Sequence, residues 1–221
     1  MKAVTITAFE TPPVLREDLP APTLGPNEVL VRVHGSSVNP VDNGIAAGML
    51  RQMGVEYEFP AILGRDYAGV VEQVGAEVTR YAVGDEVFGF LLHANPTVHD
   101  GSWAELIAVP HDMFIGGAPQ GVDLATAGAA PLAGIAAIMA IDALDLSEGD
   151  TVLIVGASGG VGSLAVQLAG RAGATVVAPA LAEDDAYLRE LGVSEVLPRD
   201  DDLAASCVSA TAMASTRSLT W

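Results

Sequence analysis

Short apolar runs separated by turn residues fill the first half of the chain. In the run 28–33, the valines at 29, 31 and 33 fall on one face and Arg32 on the other, which is the period of a half-buried strand. Similar runs predict strands at 2–9, 67–74, 85–90 and 103–109. Many short strands separated by glycine and proline predict a compact, β-barrel-like domain over residues 1–122.

The pattern changes near Asp123, where helical and strand-like segments begin to alternate. The uncharged stretch 124–141 contains glycine and proline and is flanked by aspartates, which predicts one or two packed, buried helices rather than a membrane span. Strands are predicted at 151–155, 175–178 and 195–197, with helices at 161–172 and 184–191. This alternation is typical of a parallel, doubly wound α/β sheet, which we expect over residues 123–205.

Composition narrows the classes of function. The 221 residues include 10 Lys and Arg against 28 Asp and Glu, a net charge of −18. Without a basic face, neither nucleic acid nor an anionic membrane surface is an expected partner. The single cysteine, Cys207, excludes a disulfide framework and a thiolate zinc cluster. The N-terminus has no signal-peptide pattern, so we expect a cytoplasmic protein.

A glycine-rich turn follows the predicted strand 151–155 and opens the next helix. Its residues are Gly156, Ala157, Ser158, Gly159, Gly160, Val161 and Gly162. Gly159 would let the backbone approach a pyrophosphate, and Gly162 would let the helix pack closely against the strand. All of these residues are therefore candidate dinucleotide-binding residues. The alternative is a tight strand-to-helix turn without a ligand.

The end of the next predicted strand does not decide between NAD and NADP. An NAD site usually places an acidic residue there, whereas an NADP site has a basic residue nearby. Here the strand ends at 177–180 with Val-Ala-Pro-Ala, which is neither. Glu183, Asp184 and Asp185 follow in the first turn of the next helix, where acidic side chains interact favourably with the helix dipole.

Five further stretches, together with the glycine-rich turn, carry a resemblance to a known family. They are 38–42 (Val-Asn-Pro-Val-Asp), 64–71 (Gly-Arg-Asp-Tyr-Ala-Gly-Val-Val), 83–89 (Val-Gly-Asp-Glu-Val-Phe-Gly), 101–105 (Gly-Ser-Trp-Ala-Glu) and 131–134 (Pro-Leu-Ala-Gly). With them the chain resembles the medium-chain dehydrogenase/reductases up to about Asp202, and more narrowly their zinc-free quinone oxidoreductase (zeta-crystallin-like) branch. The resemblance implies a GroES-like β-barrel domain followed by a Rossmann sheet.

The resemblance implies hydride transfer from NADPH, with NADH not excluded, to a quinone or to an alkene conjugated with a carbonyl. It also implies that Asn39 and Asp42 orient the substrate carbonyl, although the same residues are typical of turn chemistry. Zinc-dependent relatives need Cys, His and Glu ligands, whereas the matching positions here hold Ser37 or Asn39, and Arg65-Asp66. No zinc or other metal is therefore expected. The resemblance further implies a homodimer where the nucleotide domain is complete.

Other chemically active side chains form no further motif. The histidines are His34, His93, His99 and His111. They lack metal-ligand spacing and are expected to be solvated or locally hydrogen-bonded. Tyr57 and Tyr67 could donate a proton, but packing in the core is the commoner role of such residues. Two departures from the resembled family are Ala136, where relatives often have a hydroxyl near the nicotinamide, and the absence of a basic residue for a 2′-phosphate.

The end of the chain differs from the rest, and we expect an aberrant tail at 206–221. Residues 203–221 contain none of the chain's 28 acidic residues and show no helix or strand period. Members of the resembled family normally continue well beyond this point. We therefore hypothesise a frameshift near Cys207. The alternative function is a truncated, catalytically inert fragment with at most residual nucleotide binding.

Overall fold

Two units make up the chain, Met1–Leu132 and Ala133–Trp221. The computed structural model describes residues 1–91 and 100–199 and the backbone of the strand at 216–220. The first unit contains the predicted strand-rich domain, and the second contains the predicted α/β sheet. The first unit also includes a short helix at Leu124–Ala127, which the sequence pattern placed in the second domain.

The described part of the first unit consists mainly of strands. They are β1 (Ala3–Ile6), β2 (Val14–Arg16), β3 (Glu28–Gly35), β4 (Ala61–Ile62), β5 (Asp66–Val74), β6 (Glu86–Phe90), β7 (Leu106–Pro110) and β8 (Ile115–Gly117). The helices are α1 (Pro40–Ala46), α2 (Met49–Gln52) and α3 (Leu124–Ala127). One antiparallel sheet has the strand order β7-β3-β5-β6-β8, and a second has the order β2-β1-β4. The strand-rich first half is thus confirmed.

Strand β3 folds as its valine pattern predicts. Val29 and Val31 are completely buried, whereas Arg32 is exposed. On the neighbouring strand β5, a Cβ at Gly69 would lie 2.0 Å from the Arg32 carbonyl oxygen, so only glycine permits this close approach. The valines pack in a core that includes Tyr67, Val71, Val87, Ile107, Val109 and Ile115.

Helix α1 forms where the sequence was also typical of a turn. Asn39 has an extended backbone at the N-cap, and Pro40 occupies the first helical position. Proline is favourable there because its φ angle already suits a helix and its missing N–H would have no partner. The residue types that favour turns therefore begin a helix, and they place Asn39 and Asp42 in its first turn.

The second unit is an α/β sheet in its described part. Its helices are α4 (Pro131–Leu144), whose first two residues belong to the first unit, α5 (Gly160–Arg171) and α6 (Asp185–Leu191). Its strands are β9 (Thr151–Val155), β10 (Thr175–Ala180), β11 (Glu195–Pro198) and β12 (Thr216–Thr220). The strands are parallel, in the order β11-β10-β9-β12. Val152, Ile154 and Val176 are completely buried in the core of this unit. The predicted alternation of strands and helices is confirmed, with small differences at the element ends.

Strand β12 lies in the expected aberrant tail, although the sequence there shows no strand period. Its backbone pairs with β9 from Thr216, opposite Thr151, to Thr220, opposite Val155. Backbone N–H and C=O groups can pair along an open strand edge whatever the side-chain order, so the missing side-chain period did not reveal this strand. The other residues of the predicted tail lie outside the described residues.

The uncharged stretch 124–141 is divided between two helices. Helix α3 ends at Ala127 and helix α4 begins at Pro131, so the stretch forms two helices, which is one of the two outcomes that the sequence left open. Within the part of the chain that the structure describes, no helix is long and apolar enough to cross a membrane.

Candidate functional site

The glycine-rich turn joins the carboxyl end of β9 to the start of α5. Gly156 leaves the strand with a φ of 79°, a backbone conformation that favours glycine. Gly162 is buried in the first turn of α5, and a Cβ there would lie 2.1 Å from the Gly156 carbonyl oxygen. Glycine at 162 is therefore required for the helix to begin this close to the strand.

Part of this turn is open. Ser158, Gly159 and Gly160 are exposed, and a Cβ at Gly160 would meet no atom within 4 Å. Gly159 is the N-cap of α5 and provides no side-chain hydrogen bond. The first N–H groups of a helix have no acceptor within the helix, so they are available to an anion. The turn therefore fits the pyrophosphate of a dinucleotide, which needs both backbone donors and space.

A cavity of about 570 Å³ lies at the carboxyl ends of β10 and β11. It is lined on one side by Ala180–Ala182 and Asp185, and on the other by residues 196–199. Because β10 pairs with β9, the cavity lies beside the strand that carries the glycine-rich turn. Ligands of parallel α/β sheets bind at this end of the strands.

Charged residues are placed unevenly around this cavity. Ala180 ends β10 without a charge, Ala182–Asp184 form a short 3-10 turn, and Asp185 begins α6. Both carboxylate oxygens of Asp185 accept hydrogen bonds from Arg189, at 2.9 and 3.1 Å. Arg199, which directly follows β11, also lines the cavity. The sequence prediction missed Arg199 because it considered the end of β10 alone, whereas the neighbouring parallel strand ends at the same edge.

In the first unit, Asn39 and Asp42 form a capping box at the start of α1. The Asp42 carboxylate accepts a hydrogen bond of 2.7 Å from the Asn39 backbone N–H. Asp42 is completely buried, and this burial raises the pKa of its carboxyl group. The side-chain amide of the half-buried Asn39 donates to Ser37 Oγ at 2.8 Å and to Asp66 Oδ2 at 2.9 Å. Asp42 therefore exposes no surface to a substrate in this structure.

Asp66 is the centre of this hydrogen-bond network, and it is completely buried at the start of β5. Its Oδ2 accepts hydrogen bonds from Asn39 and, at 2.5 Å, from Ser37 Oγ. Its Oδ1 accepts a hydrogen bond of 2.8 Å from the backbone N–H of Leu132. The sequence prediction considered Asp66 only as a missing metal ligand. An acidic residue directly before the apolar run of β5 was the one signal of a buried role.

Arg65 and Asp66 stand where the resemblance placed zinc ligands in relatives. The buried Arg65 side chain donates to the Gly64 and Asp100 carbonyl oxygens, both at 2.9 Å, and pairs with the Asp100 carboxylate at 3.3 Å. A guanidinium offers only N–H donors, so it is unsuited to binding a cation. Within residues 1–91 and 100–199, no three His, Cys, Asp or Glu side chains are arranged as a metal site.

The remaining candidate side chains have packing or solvent-exposed positions. Tyr67 is completely buried, burial raises the pKa of its hydroxyl group, and that group donates to a backbone carbonyl at 3.4 Å. Tyr57 also donates to a backbone carbonyl, at 2.8 Å, and its ring packs edge-on against an aromatic neighbour. These contacts support the packing role for both tyrosines. His34 is exposed, whereas His93 and His99 lie outside the described residues.

Comparison with known proteins identifies similar chains. Residues 25–119 match the family model described as the alcohol dehydrogenase GroES-like domain. The chloroplast envelope quinone oxidoreductase homolog of Arabidopsis thaliana is 38% identical over an alignment of 185 residues that covers 81% of this chain. The quinone oxidoreductase structure from Coxiella burnetii matches 93% of this chain and 65% of its own, with 28% identity and a TM-score of 0.82. A mycobacterial protein complexed with NADPH matches 96% of this chain and 64% of its own, with 26% identity and a TM-score of 0.81.

These matches confirm the predicted fold class, a GroES-like domain followed by a partial Rossmann-like parallel sheet. The matched region spans 54% of the length of the Arabidopsis protein. The chain therefore corresponds to about half of that relative, and any activity of the whole relative needs a test on this chain.

Proposed function

The chain belongs to the medium-chain dehydrogenase/reductase family, and on this premise we propose zinc-independent hydride transfer from NADPH to a quinone or to an alkene conjugated with a carbonyl. The names of the Arabidopsis and Coxiella proteins support an oxidoreductase and favour a quinone as the acceptor. The conjugated alkene is the alternative acceptor that the family resemblance implies.

The observation that carries this proposal is the geometry of the glycine-rich turn. Its open side offers backbone N–H donors and room for a pyrophosphate, while Gly162 brings α5 close to β9. The mycobacterial structure with NADPH supports a pyridine nucleotide as the cofactor. Gly156, Ala157, Ser158, Gly159, Gly160, Val161 and Gly162 are the residues proposed to hold it.

Bound NADPH would supply the hydride, so the protein's contribution is binding and orientation. The turn would hold the pyrophosphate through its backbone N–H groups. Asn39 is half-buried and is proposed to orient the substrate carbonyl. Both N–H groups of its side-chain amide donate to Ser37 and Asp66 in this structure, so a direct hydrogen bond to that carbonyl would have to replace one of these two. The buried Asp42 and Asp66 carboxylates would act as positioning residues, because they fix the backbone and side chain of Asn39. Neither carboxylate needs to touch the substrate for this role.

Zinc independence, a cytoplasmic location and, where the nucleotide domain is complete, a homodimer complete the proposal. The buried cationic Arg65, at a position expected to hold a metal ligand, supports zinc independence. Treatment with a chelator should therefore leave the rate of NADPH oxidation unchanged. Light scattering of the purified chain tests the dimer, and fractionation of cells tests the location.

The test of the proposed activity is NADPH oxidation by the purified chain with a simple benzoquinone and with a cyclic enone. Gly160→Glu should abolish the reaction, since it places a carboxylate where the pyrophosphate is proposed to lie. A Cβ at Gly160 meets no atom within 4 Å, so the fold should persist. Gly170→Glu is the matched control, because Gly170 lies on the same helix and is equally open.

Turnover that is lost in Gly160→Glu and kept in Gly170→Glu would support the proposal. Equal turnover in both variants would exclude the glycine-rich turn as the nucleotide site. Nucleotide binding by the unmodified chain without turnover of either acceptor would instead favour the alternative, in which the chain is a binding module without catalytic activity.

A further inference from the structure

The cavity at the carboxyl ends of β10 and β11 has the volume of a small-molecule site and lies one strand away from the strand that leads into the glycine-rich turn. Its volume of about 570 Å³ lies within the range of roughly 300–1,000 Å³ that is usual for small-molecule sites. It lies entirely between residues of the second unit. A dinucleotide whose pyrophosphate sits at the end of β9 would place one of its two nucleosides toward the neighbouring strand β10.

The charges around the cavity distinguish between two kinds of ribose. A free 2′-hydroxyl is normally recognised by a carboxylate at the end of the second strand, but that strand ends at the uncharged Ala180. Asp185 also lines the cavity, yet both of its carboxylate oxygens are bound by Arg189. The Asp185 carboxylate keeps further lone pairs, but no carboxylate without an ion-pair partner lines the cavity among the described residues, which disfavours recognition of a 2′-hydroxyl.

Arg199 offers the opposite chemistry. Its backbone N–H donates to the Ala180 carbonyl oxygen at 3.1 Å, which fixes the residue beside the end of β10. Its side chain is exposed at the cavity, and none of the described carboxylates forms an ion pair with it. The planar guanidinium can donate two parallel hydrogen bonds to a phosphate, which a lysine cannot do.

We propose that Arg199 binds the 2′-phosphate of NADPH and thereby determines the preference of this chain for NADPH over NADH. The inference rests on the proposed function, since it assumes that a pyridine nucleotide occupies the glycine-rich turn. Under this proposal, Arg199 would supply the basic residue that the sequence analysis did not find for this phosphate. The residue comes from the end of the third strand of the alternating pattern rather than from the end of the second.

Calorimetric titration of the full chain tests the inference without any need for turnover. The probes are adenosine 2′,5′-bisphosphate and adenosine 5′-monophosphate, which differ only in the 2′-phosphate. We expect the unmodified chain to bind the bisphosphate more tightly. Arg199→Gln should weaken that binding by about 10- to 100-fold, the usual value of a charged hydrogen-bonded contact, with little change for the monophosphate. Arg199→Lys should have an intermediate effect because it keeps the charge and loses the paired geometry.

Arg171→Gln is the matched control, because it removes the same charge from the end of α5 and Arg171 does not line the cavity. A bisphosphate preference that survives in Arg199→Gln, or one that Arg171→Gln reduces equally, would overturn the role of Arg199 and leave the nucleotide site intact. Tighter binding of the monophosphate by the unmodified chain would do the same. Binding of neither probe would overturn this inference together with the proposed function.

Discussion

At the scale of single residues, the buried carboxylate of Asp66 connects the parts of the first unit that surround Asn39. It accepts hydrogen bonds from the side chains of Ser37 and Asn39 and from the backbone of Leu132. Each of these donors would lose its partner if the carboxylate were removed. A buried donor without an acceptor costs about 1–3 kcal/mol. Substitution of Asp66 would remove the acceptor of three donors at once, so its cost should exceed that of one lost hydrogen bond.

We predict that Asp66→Ala lowers the free energy of unfolding by about 3 kcal/mol or more, as measured by urea denaturation. Asp66→Asn should cost less, because its amide oxygen can still accept one of the hydrogen bonds. The exposed Glu77→Ala serves as a control for loss of an acidic side chain, with an expected change within about 0.5 kcal/mol. Equal stability of Asp66→Ala and Glu77→Ala would show that the network contributes nothing to the fold.

Asp42 gives a prediction about pH. Burial raises its pKa in the folded chain above the unfolded value of about 3.9, so the folded state holds its proton to higher pH. The contribution of this group to stability is therefore largest below about pH 4 and is lost as pH rises through the folded pKa. Asp42→Asn removes this dependence and keeps an oxygen that can accept the Asn39 N–H. Urea denaturation at several pH values should show a relative gain in stability for Asp42→Asn between acidic and neutral pH. Parallel profiles of the two proteins would contradict this.

At the scale of elements, different residues of the turn between β9 and α5 serve the packing of the fold and the proposed binding of a ligand. Gly162 faces the Gly156 carbonyl oxygen with no room for a side chain, whereas the position of a Cβ at Gly160 is empty. Glycine is therefore favoured at these two positions of the same turn for different physical reasons. One permits close packing of the helix on the strand, and the other leaves space on the exposed side.

We predict that Gly162→Ala affects the stability of the fold, whereas Gly160→Ala affects the binding of NADPH. The first should lower the free energy of unfolding by about 1–3 kcal/mol, because its Cβ would overlap the Gly156 carbonyl oxygen. The second should leave the stability unchanged or raise it slightly, since alanine favours a helix, and should weaken the binding of NADPH. Thermal unfolding and nucleotide titration of both variants measure the two effects. If Gly160→Ala binds NADPH unchanged, the pyrophosphate does not approach this part of the turn.

Most elements of the fold could be predicted because their side-chain periods reflect which face is buried. The strands β3 and β9 and helix α5 were predicted within one or two residues of their observed ends. Helix α1 was not predicted, because Asn-Pro at its start favours a turn as much as an N-cap. Strand β12 was not predicted either, since it is defined by backbone pairing with β9 rather than by a side-chain pattern.

The candidate site could be predicted only where it is local in the chain. The glycine-rich turn is contiguous, so its residues were found from their order alone. The contacts of Asp66 join residues that are 27 to 66 positions apart, and they depend on how strands and loops are brought together. Arg199 was missed for the same reason, because its nearness to Ala180 follows from the parallel pairing of β10 with β11.

At the scale of the whole molecule, a net charge of −18 on 221 residues sets a long-range field. The ion pairs among the described residues are mostly exposed, so they offset little of the repulsion between the acidic side chains. Such self-repulsion destabilises a compact state. The same field opposes the approach of an anionic nucleotide, so the local donors of the glycine-rich turn and the charge of Arg199 would have to act against it.

Salt should therefore stabilise this chain, in contrast to a protein whose surface charges are balanced. The screening length falls from about 30 Å at 0.01 M to about 10 Å at 0.1 M ionic strength, so distant acidic side chains repel each other less as salt is added. We predict that the unfolding temperature rises over this range, by about 2–4 °C for each kcal/mol of repulsion that is removed. Thermal unfolding in sodium chloride measures the shift, and sucrose of equal osmolarity controls for effects unrelated to charge. A constant or falling unfolding temperature would mean that the exposed ion pairs, which salt weakens, contribute more than the net repulsion.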